Sequence, residues 1–362
     1  MAEIEFWKNT LTKLLNDILE EPEQLSKSLA YSCGEGSEDL EKAAVLVRGA
    51  KHLYVVGIGS SWHAAMAILS LFNAAGRPAL LLDASEMVHF TVVPRQSVVI
   101  ILSRSGRSIE VVRMLEVLRS CGTRIIAVTN TADSALAKEA DVCLKLAVRF
   151  DHHVSISVYS ALALVGGLLA SRAVDQLSEE LVEHLAASLT ATQRAMASWK
   201  ERIDASTWFE REAATYFLAR GGSLASCHEG RLLWEEAAKA PASAMSSGGF
   251  RHGPQEIVRN GLRIVMWLDR EKLRTEDLAL AADLRHNGTR VFLIGQSAGC
   301  DAAELVINLL GIPAAWQFPI DIIPAQLAAE RLSRLQGEDC DAFLLCPYII
   351  EQEGGLTMAR IR

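Results

Sequence analysis

The sequence is poor in the features that mark several large classes of protein. It holds no G-K-[ST] tripeptide, which removes a Walker-type nucleotide loop. None of its seven cysteines (33, 121, 143, 227, 300, 340 and 346) forms a C-x-x-C pair, and the count is odd. Reduced structural thiols in a cytosolic protein are therefore expected, not a disulfide framework. The chain does not open with a cationic segment followed by an apolar one, so a signal peptide is not expected. The longest apolar stretch, "ALALVGGLLA" from Ala161 to Ala170, is too short to span a bilayer. Positive charge is also scarce. A net charge of -8 argues against nucleic acid as a partner, which would select a basic stripe. A small anion could still be held locally. Half the residues are hydrophobic, so the chain is globular, and 362 residues suit two domains of common size.

What is present is alternation. "HLYVVGIG", "PALLLDAS", "SVVIIL", "TRIIAVTN" and "VCLKLAV" read as buried strands, with "SSWHAAMAILSLFNAAG", "SIEVVRMLEVLRSCG" and "SALAKEAD" as helices between them. Apolar strands alternating with helices imply an α/β fold, with a mostly parallel sheet covered on both faces. Residues 4 to 30 read as helices broken by Pro22. The second half repeats the order with strands "ATYFLARGGS", "RIVMWLD" and "TRVFLIG" and helices "CHEGRLLWEEAAKA" and "EDLALAADLRHNG". "LRSCGTRIIAV" aligns with "LRHNGTRVFLI", which sets Gly122 on Gly288 and Ser103 on Asp269, and Gly59 falls near Gly221. These matches predict an internal duplication. The expected parts are a helical arm over 1–36, a first domain with a linker helix over 37–195, and a second domain with a tail over 196–362.

Ligands of an open parallel sheet sit beyond the carboxyl ends of its strands. Two loops of the first copy belong there, "GIGSSW" (57–62) and "SRSGRS" (103–108), each following a strand and opening a helix. A helix start offers free N–H groups, and glycine lets the backbone close around an oxyanion. Ser60, Ser61, Ser103, Ser105 and Ser108 add hydroxyl donors that suit one phosphate. A plain helix cap is the simpler use of such a serine. One cap does not need three hydroxyls in six residues with a second serine pair beside them. "GIGSSW" is not a dinucleotide fingerprint, because Trp62 stands at its third glycine position. The second copy has "DREKLR" from Asp269 in place of "SRSGRS". An acidic loop without glycine will not hold phosphate, so one phosphate site per chain is expected.

The G-x-G-S-S loop, the S-x-S-G-x-S loop and the later "FRHGP", on two tandem α/β domains, resemble the SIS (sugar isomerase) family of phosphosugar proteins. The arrangement is similar to the isomerase half of glucosamine-6-phosphate synthase, and to stand-alone aldose–ketose isomerases and amino-sugar-phosphate deaminases. The resemblance runs from about residue 10 to 350. It implies two tandem SIS domains of flavodoxin-like three-layer form, the first binding phosphate and the second carrying the catalytic helix. It also implies Ser60, Ser61, Ser103, Arg104, Ser105 and Ser108 as phosphate contacts. Gly59, Val154 and Ser155 would line the sugar. Within "HEGRLLWEEAAKAP" it places Glu229 and Glu236 on the two glutamates of the catalytic helix, and "RHGP" places His252 on the histidine that serves a neighbouring subunit. A homodimer or higher assembly follows, with a sugar phosphate as partner and no cofactor or metal. Position 2 is Ala where the synthase's glutaminase nucleophile would stand, so a complete glutamine-dependent synthase is not expected.

The implied chemistry is aldose–ketose interconversion of a hexose or hexosamine 6-phosphate through an enediol or enolamine, or the matching deamination. It asks for one base near C1 and C2, a proton shuttle for ring opening and a grip on the remote phosphate. A partly buried glutamate suits the base and a histidine the shuttle. Each residue also has a plain structural use: a solvated helix glutamate for Glu236, a structural one for Glu229, a turn residue for His252. The pair His152–His153 invites a metal, but no further ligands follow at fixed spacing. Three departures bear on the reaction. Leu233 and Glu235 stand where the family helix carries lysines, "DHHVSISVYS" lacks the lysine of the family's sugar-lining segment, and no lysine follows Lys272. A Schiff base from a tail lysine is therefore not available. The alternatives are a sugar-phosphate-binding regulator without catalysis, or a deglycase of a phosphorylated fructosamine.

Overall fold

The computed structural model describes residues 11–209 and 213–355. Two compact units share the chain, one from 23–186 and 343–355, the other from 11–22 and 187–342. Helices α1 (Lys13–Cys33) and α8 (Glu179–Asp204) run from one unit into the other. The expected break at Pro22 does not occur, and Pro22 lies inside α1. An interior proline costs a helix about 3 kcal/mol. The burial of Leu14, Ile18, Leu25 and Leu29 along the same helix opposes that cost.

The first unit is built on a parallel five-stranded sheet in the order β2-β1-β3-β4-β5. Its strands are β1 (His52–Gly57), β2 (Leu80–Asp83), β3 (Ser97–Ser103), β4 (Arg124–Thr129) and β5 (Val142–Lys145). Helices α2 (Ser37–Gly49), α3 (Ser60–Ala74), α4 (Ala84–Phe90), α5 (Ile109–Ser120), α6 (Ala135–Glu139) and α7 (Ser157–Ala173) flank it. Every residue of β3 is buried, as a central strand covered on both faces requires. Tyr54, Val56, Val99, Ile101, Ile125 and Ala127 cluster with Met87, Met114, Leu118 and Leu136, so α4, α5 and α6 cover one face. The period of two turns the intervening Val55, Ile100 and Ile126 to the opposite face, where α3 meets β1 and β3 and α7 meets β4. Gly166 of α7 lets that side close up, since a Cβ there would lie 2.1 Å from Ile68 Cδ1 of α3.

The second unit repeats the design. Its strands are β6 (Thr215–Ala219), β7 (Ala242–Ser246), β8 (Arg263–Trp267), β9 (Arg290–Gly295) and β10 (Leu305–Asn308). They are parallel in the order β10-β9-β8-β6-β7, the first unit's order strand for strand. Helices α9 (Leu224–Glu236), the one-turn α10 (Ser247–Phe250), α11 (Arg274–His286) and α12 (Ile323–Gln336) accompany them. The sequence did not announce β7 and β10. Both are edge strands of four or five residues, and β7 is made of half-buried small and polar side chains without an apolar run. Among the described residues no helix is long and apolar enough to cross a membrane.

Candidate functional site

In the first unit the chain reverses its direction of travel across the sheet between β1 and β3, which are adjacent and parallel. The loops that follow them, "GIGSSW" and "SRSGRS", therefore leave neighbouring carboxyl ends, where ligands of such sheets bind. Glycine is required in both. A Cβ on Gly57 would lie 2.5 Å from the backbone carbonyl of Ser61. Gly106 has φ +59, and a Cβ there would meet Ser134 Oγ at 2.3 Å. Gly59, with φ +56, is the N-cap of α3 and brings Ser60 and Ser61 into its first turn.

Two serines of the second loop are placed to donate a hydrogen bond. Ser103 Oγ accepts the Gly106 N–H at 3.0 Å, and Ser105 Oγ accepts the Arg107 N–H at 3.2 Å. Both hydroxyls spend lone pairs on the loop and keep their O–H for an incoming acceptor. Ser108 is the N-cap residue of α5, yet its side chain makes no capping bond. Capping alone thus does not account for it. Ser61, Ser103 and Ser105 are all buried.

Both arginines of the loop are occupied elsewhere. Arg104 Nη1 donates to His153 O at 3.0 Å and Nη2 to Tyr348 O at 2.7 Å, with the guanidinium 3.9 Å from the Tyr348 ring centre. Arg107 pairs with the exposed Asp133 at 3.2 Å. The tail that meets Arg104 continues along the loop, where Ile350 O accepts the Ile109 N–H at 3.0 Å. Of Arg104, the main chain rather than the charge is left for a ligand.

Val154 and Ser155 lead into α7. Its first N–H groups, on Ile156, Ser157 and Val158, each donate to the Asp151 carboxylate at 2.9 Å. Asp151 thus bends 152–155 into a loop. Ser155 Oγ is buried there with no hydrogen-bond partner. A buried hydroxyl of this kind calls for a ligand or water. His152 and His153 are 6.3 Å apart between ring centres, and His153 meets Phe343 edge-on. Among the described residues no group of three or more His, Cys, Asp or Glu is arranged to hold a metal ion.

In the second unit, α9 leaves the carboxyl end of β6 and returns along it to the start of β7. Glu229 is buried at mid-helix, and Glu236, half-buried, is the last residue. They share a face but stand about 10 Å apart along the axis. Only one of them can serve as the base at a given pair of carbons. His252 is exposed in the turn after α10, beyond the other end of β7, so this unit does not bring it beside Glu236. Its N–H donates to Gly249 O at 3.0 Å, and Gly253, with φ +121, completes the turn.

Two residues that sequence reasoning passed over stand out. Lys239 has φ +52, and its ammonium donates to Glu236 O at 2.6 Å, Asp339 O at 3.0 Å and Ala342 O at 2.8 Å. It closes the end of α9, and burial lowers its pKa from the ordinary lysine value. Asp321 is fully buried and accepts hydrogen bonds from the hydroxyls of Ser223, at 2.6 Å, and Ser226. Burial pushes its carboxyl up to about 6, against the pull of the two hydroxyls. The only hint in the sequence was one carboxylate inside the apolar run "FPIDIIP".

Comparison with known proteins follows this geometry. Residues 46–172 match the model of the SIS domain. A glutamine–fructose-6-phosphate aminotransferase (isomerizing) of Pyrobaculum aerophilum is 24% identical over 342 residues, 91% of this chain and 55% of that protein. The chain spans about half the length of the curated relatives it matches. Among solved structures, the C-terminal domain of glucosamine-fructose-6-phosphate aminotransferase from Francisella tularensis aligns with TM-score 0.80 at 21% identity, covering 92% of this chain and 99% of that one. Tagatose-6-phosphate ketose/aldose isomerase from Escherichia coli aligns with TM-score 0.78 at 20% identity, covering 92% and 96%. At such identities the likeness is one of fold.

Proposed function

We propose that this chain, which carries a SIS domain over residues 46–172, grips a hexose or hexosamine 6-phosphate by its phosphate and acts on the C1–C2 end of the sugar. One observation carries the reading: two glycine-dependent loops at adjacent strand ends, with Ser103 and Ser105 arranged as hydrogen-bond donors. Ser60, Ser61 and Ser108 complete the phosphate contacts together with the main chain of Arg104. Gly59, Val154 and Ser155 line the sugar. The two SIS domains are read as flavodoxin-like layers, one for phosphate and one for catalysis.

The reaction is isomerisation through an enediol, or deamination through an enolamine. Glu236 moves the proton between C1 and C2, and Glu229 steadies the helix. His252 of a second copy assists ring opening, so the protein works as a homodimer or higher assembly in the cytosol. The exposed position of His252 supports this division of labour. The test is turnover of a panel of hexose and hexosamine 6-phosphates, followed by ammonia release and by the aldose/ketose ratio. Glu236→Gln should lower turnover by about 10²-fold or more, as loss of a general base does, and leave phosphosugar binding intact. Full turnover in that variant would remove Glu236 from the reaction.

A binding-only regulator is the second reading. Leu233 and Glu235 in the helix, and the absence of lysine after Lys272, favour it. A wild-type protein that binds the panel but neither isomerises, deaminates nor deglycates any member would establish it. Release of a free amino compound from a phosphorylated fructosamine would mark a deglycase.

A further inference from the structure

The duplication allows the two units to be compared position by position. An offset of 162 sets Gly57 on Ala219, Gly59 on Gly221 and Ser61 on Ser223. Gly59 and Gly221 adopt matching positive φ values, +56 and +54. On the far side, α7 and α12 have N-cap residues Ile156 and Ile322, an offset of 166, so Ser155 corresponds to Asp321. In the first unit this position holds a buried hydroxyl with no partner. In the second it holds a buried carboxylate that accepts hydrogen bonds from the hydroxyls of Ser223, the counterpart of Ser61, and Ser226.

The other loop tells the same story. "DREKLR" does more than lack donors. Asp269 Oδ2 accepts the N–H groups of Lys272 and Leu273, both at 2.6 Å, ahead of α11. Each anion-binding loop of the second unit has thus been supplied with an anion from the chain itself.

We propose that Asp321, together with Asp269, confines phosphate to the first unit: the Asp321 carboxylate stands at the position that corresponds to Ser155 and binds the hydroxyl of Ser223, the counterpart of Ser61. The proposal rests on the first-unit cradle being a phosphate site. Its consequence is polarity. A sugar phosphate finds one cradle per chain and enters in one orientation.

The test uses the full chain and inorganic phosphate in equilibrium dialysis, with circular dichroism to verify folding. The wild type should bind one phosphate per chain, and Ser105→Ala should weaken that site about tenfold, the worth of one lost hydrogen bond. Asp321→Ser/Asp269→Ser removes both carboxylates and should raise the number to two, while adding Ser105→Ala to that pair should keep one strong site. The reciprocal change, Ser155→Asp, should lower phosphate affinity at least about tenfold more than Ser155→Asn, a neutral side chain of the same size, does. A folded Asp321→Ser/Asp269→Ser protein that still binds one phosphate overturns the proposal. If that variant does not fold, equal binding by Ser155→Asp and Ser155→Asn overturns it. Failure of the first-unit reading looks different, because the wild type would bind no phosphate and Ser105→Ala would change nothing.

Discussion

Glu236 and His252 stand at opposite ends of β7. Glu236 ends the helix that precedes the strand, and His252 lies in the turn beyond its last residue, Ser246. The strand between them is five residues, about 13 Å, long. In the function proposed above, Glu236 and His252 of one copy therefore serve different sites.

Mixing inactive variants tests this relationship. Glu236→Gln and His252→Asn should each be inactive alone. Random reassociation of the two in a dimer should restore about one quarter of wild-type activity, because half of the dimers hold one intact site of two. Mixed dimers that stay inactive would show that both residues serve the same copy.

Gly106→Ala should damage the cradle by sterics alone. The added Cβ would sit 2.3 Å from Ser134 Oγ in a backbone of φ +59. Ser134 also caps α6, accepting the Ala137 N–H at 3.2 Å. The expected cost is about 2–3 kcal/mol, visible as a Tm lower by about 5 °C, together with loss of phosphate binding. Unchanged melting and binding would contradict the packing described.

The buried carboxyl of Asp321 should give stability a distinct pH dependence. Its pKa rises from 3.8 to about 6 on folding. The folded state therefore disfavours the ionised form. No penalty exists below pH 3.8; it grows as pH rises through 6 and is constant above. Between pH 4 and pH 7 the wild type should lose up to about 3 kcal/mol relative to Asp321→Asn. Urea midpoints of the two proteins at both pH values measure this, and a gap that does not change with pH would refute it.

The sequence displayed the parts of this fold that bury apolar strands. β1, β3, β4, β8 and β9 are apolar runs, and the repeated "L-R-x-x-G-T-R" string exposed the duplication. β7 was illegible because "ASAMS" has no apolar run, while β10, "LVIN", is apolar and buried but only four residues long. The serine loops were legible because glycine and hydroxyls cluster there beyond what caps require. Arg104 was read as a phosphate contact by its place in the family motif. Its guanidinium meets the carbonyls of His153 and Tyr348, the second more than two hundred residues away, which no motif announces. Asp321 and Lys239 escaped for a similar reason: their roles depend on partners such as Ser223 and Ala342, which only tertiary structure brings near.

The engagement of Arg104 and Arg107 leaves the proposed cradle without a guanidinium aimed at a ligand: Arg104 keeps its charge but spends its donors on two main-chain carbonyls, and Arg107 pairs with Asp133. The cradle's donors are hydroxyls and main-chain N–H groups, and both cations of the loop are already bonded to the protein. Screening by salt weakens long-range attraction between charges far more than short hydrogen bonds in a desolvated loop. Affinity for a sugar phosphate should then change little, about twofold or less, between 50 and 500 mM of an inert salt, as titration calorimetry can measure. A steep loss would mean that a cationic side chain swings onto the ligand. With a flat response, the fit of the donors around three oxygens sets the strength of binding, and the protein's net negative charge is no obstacle to an anionic substrate.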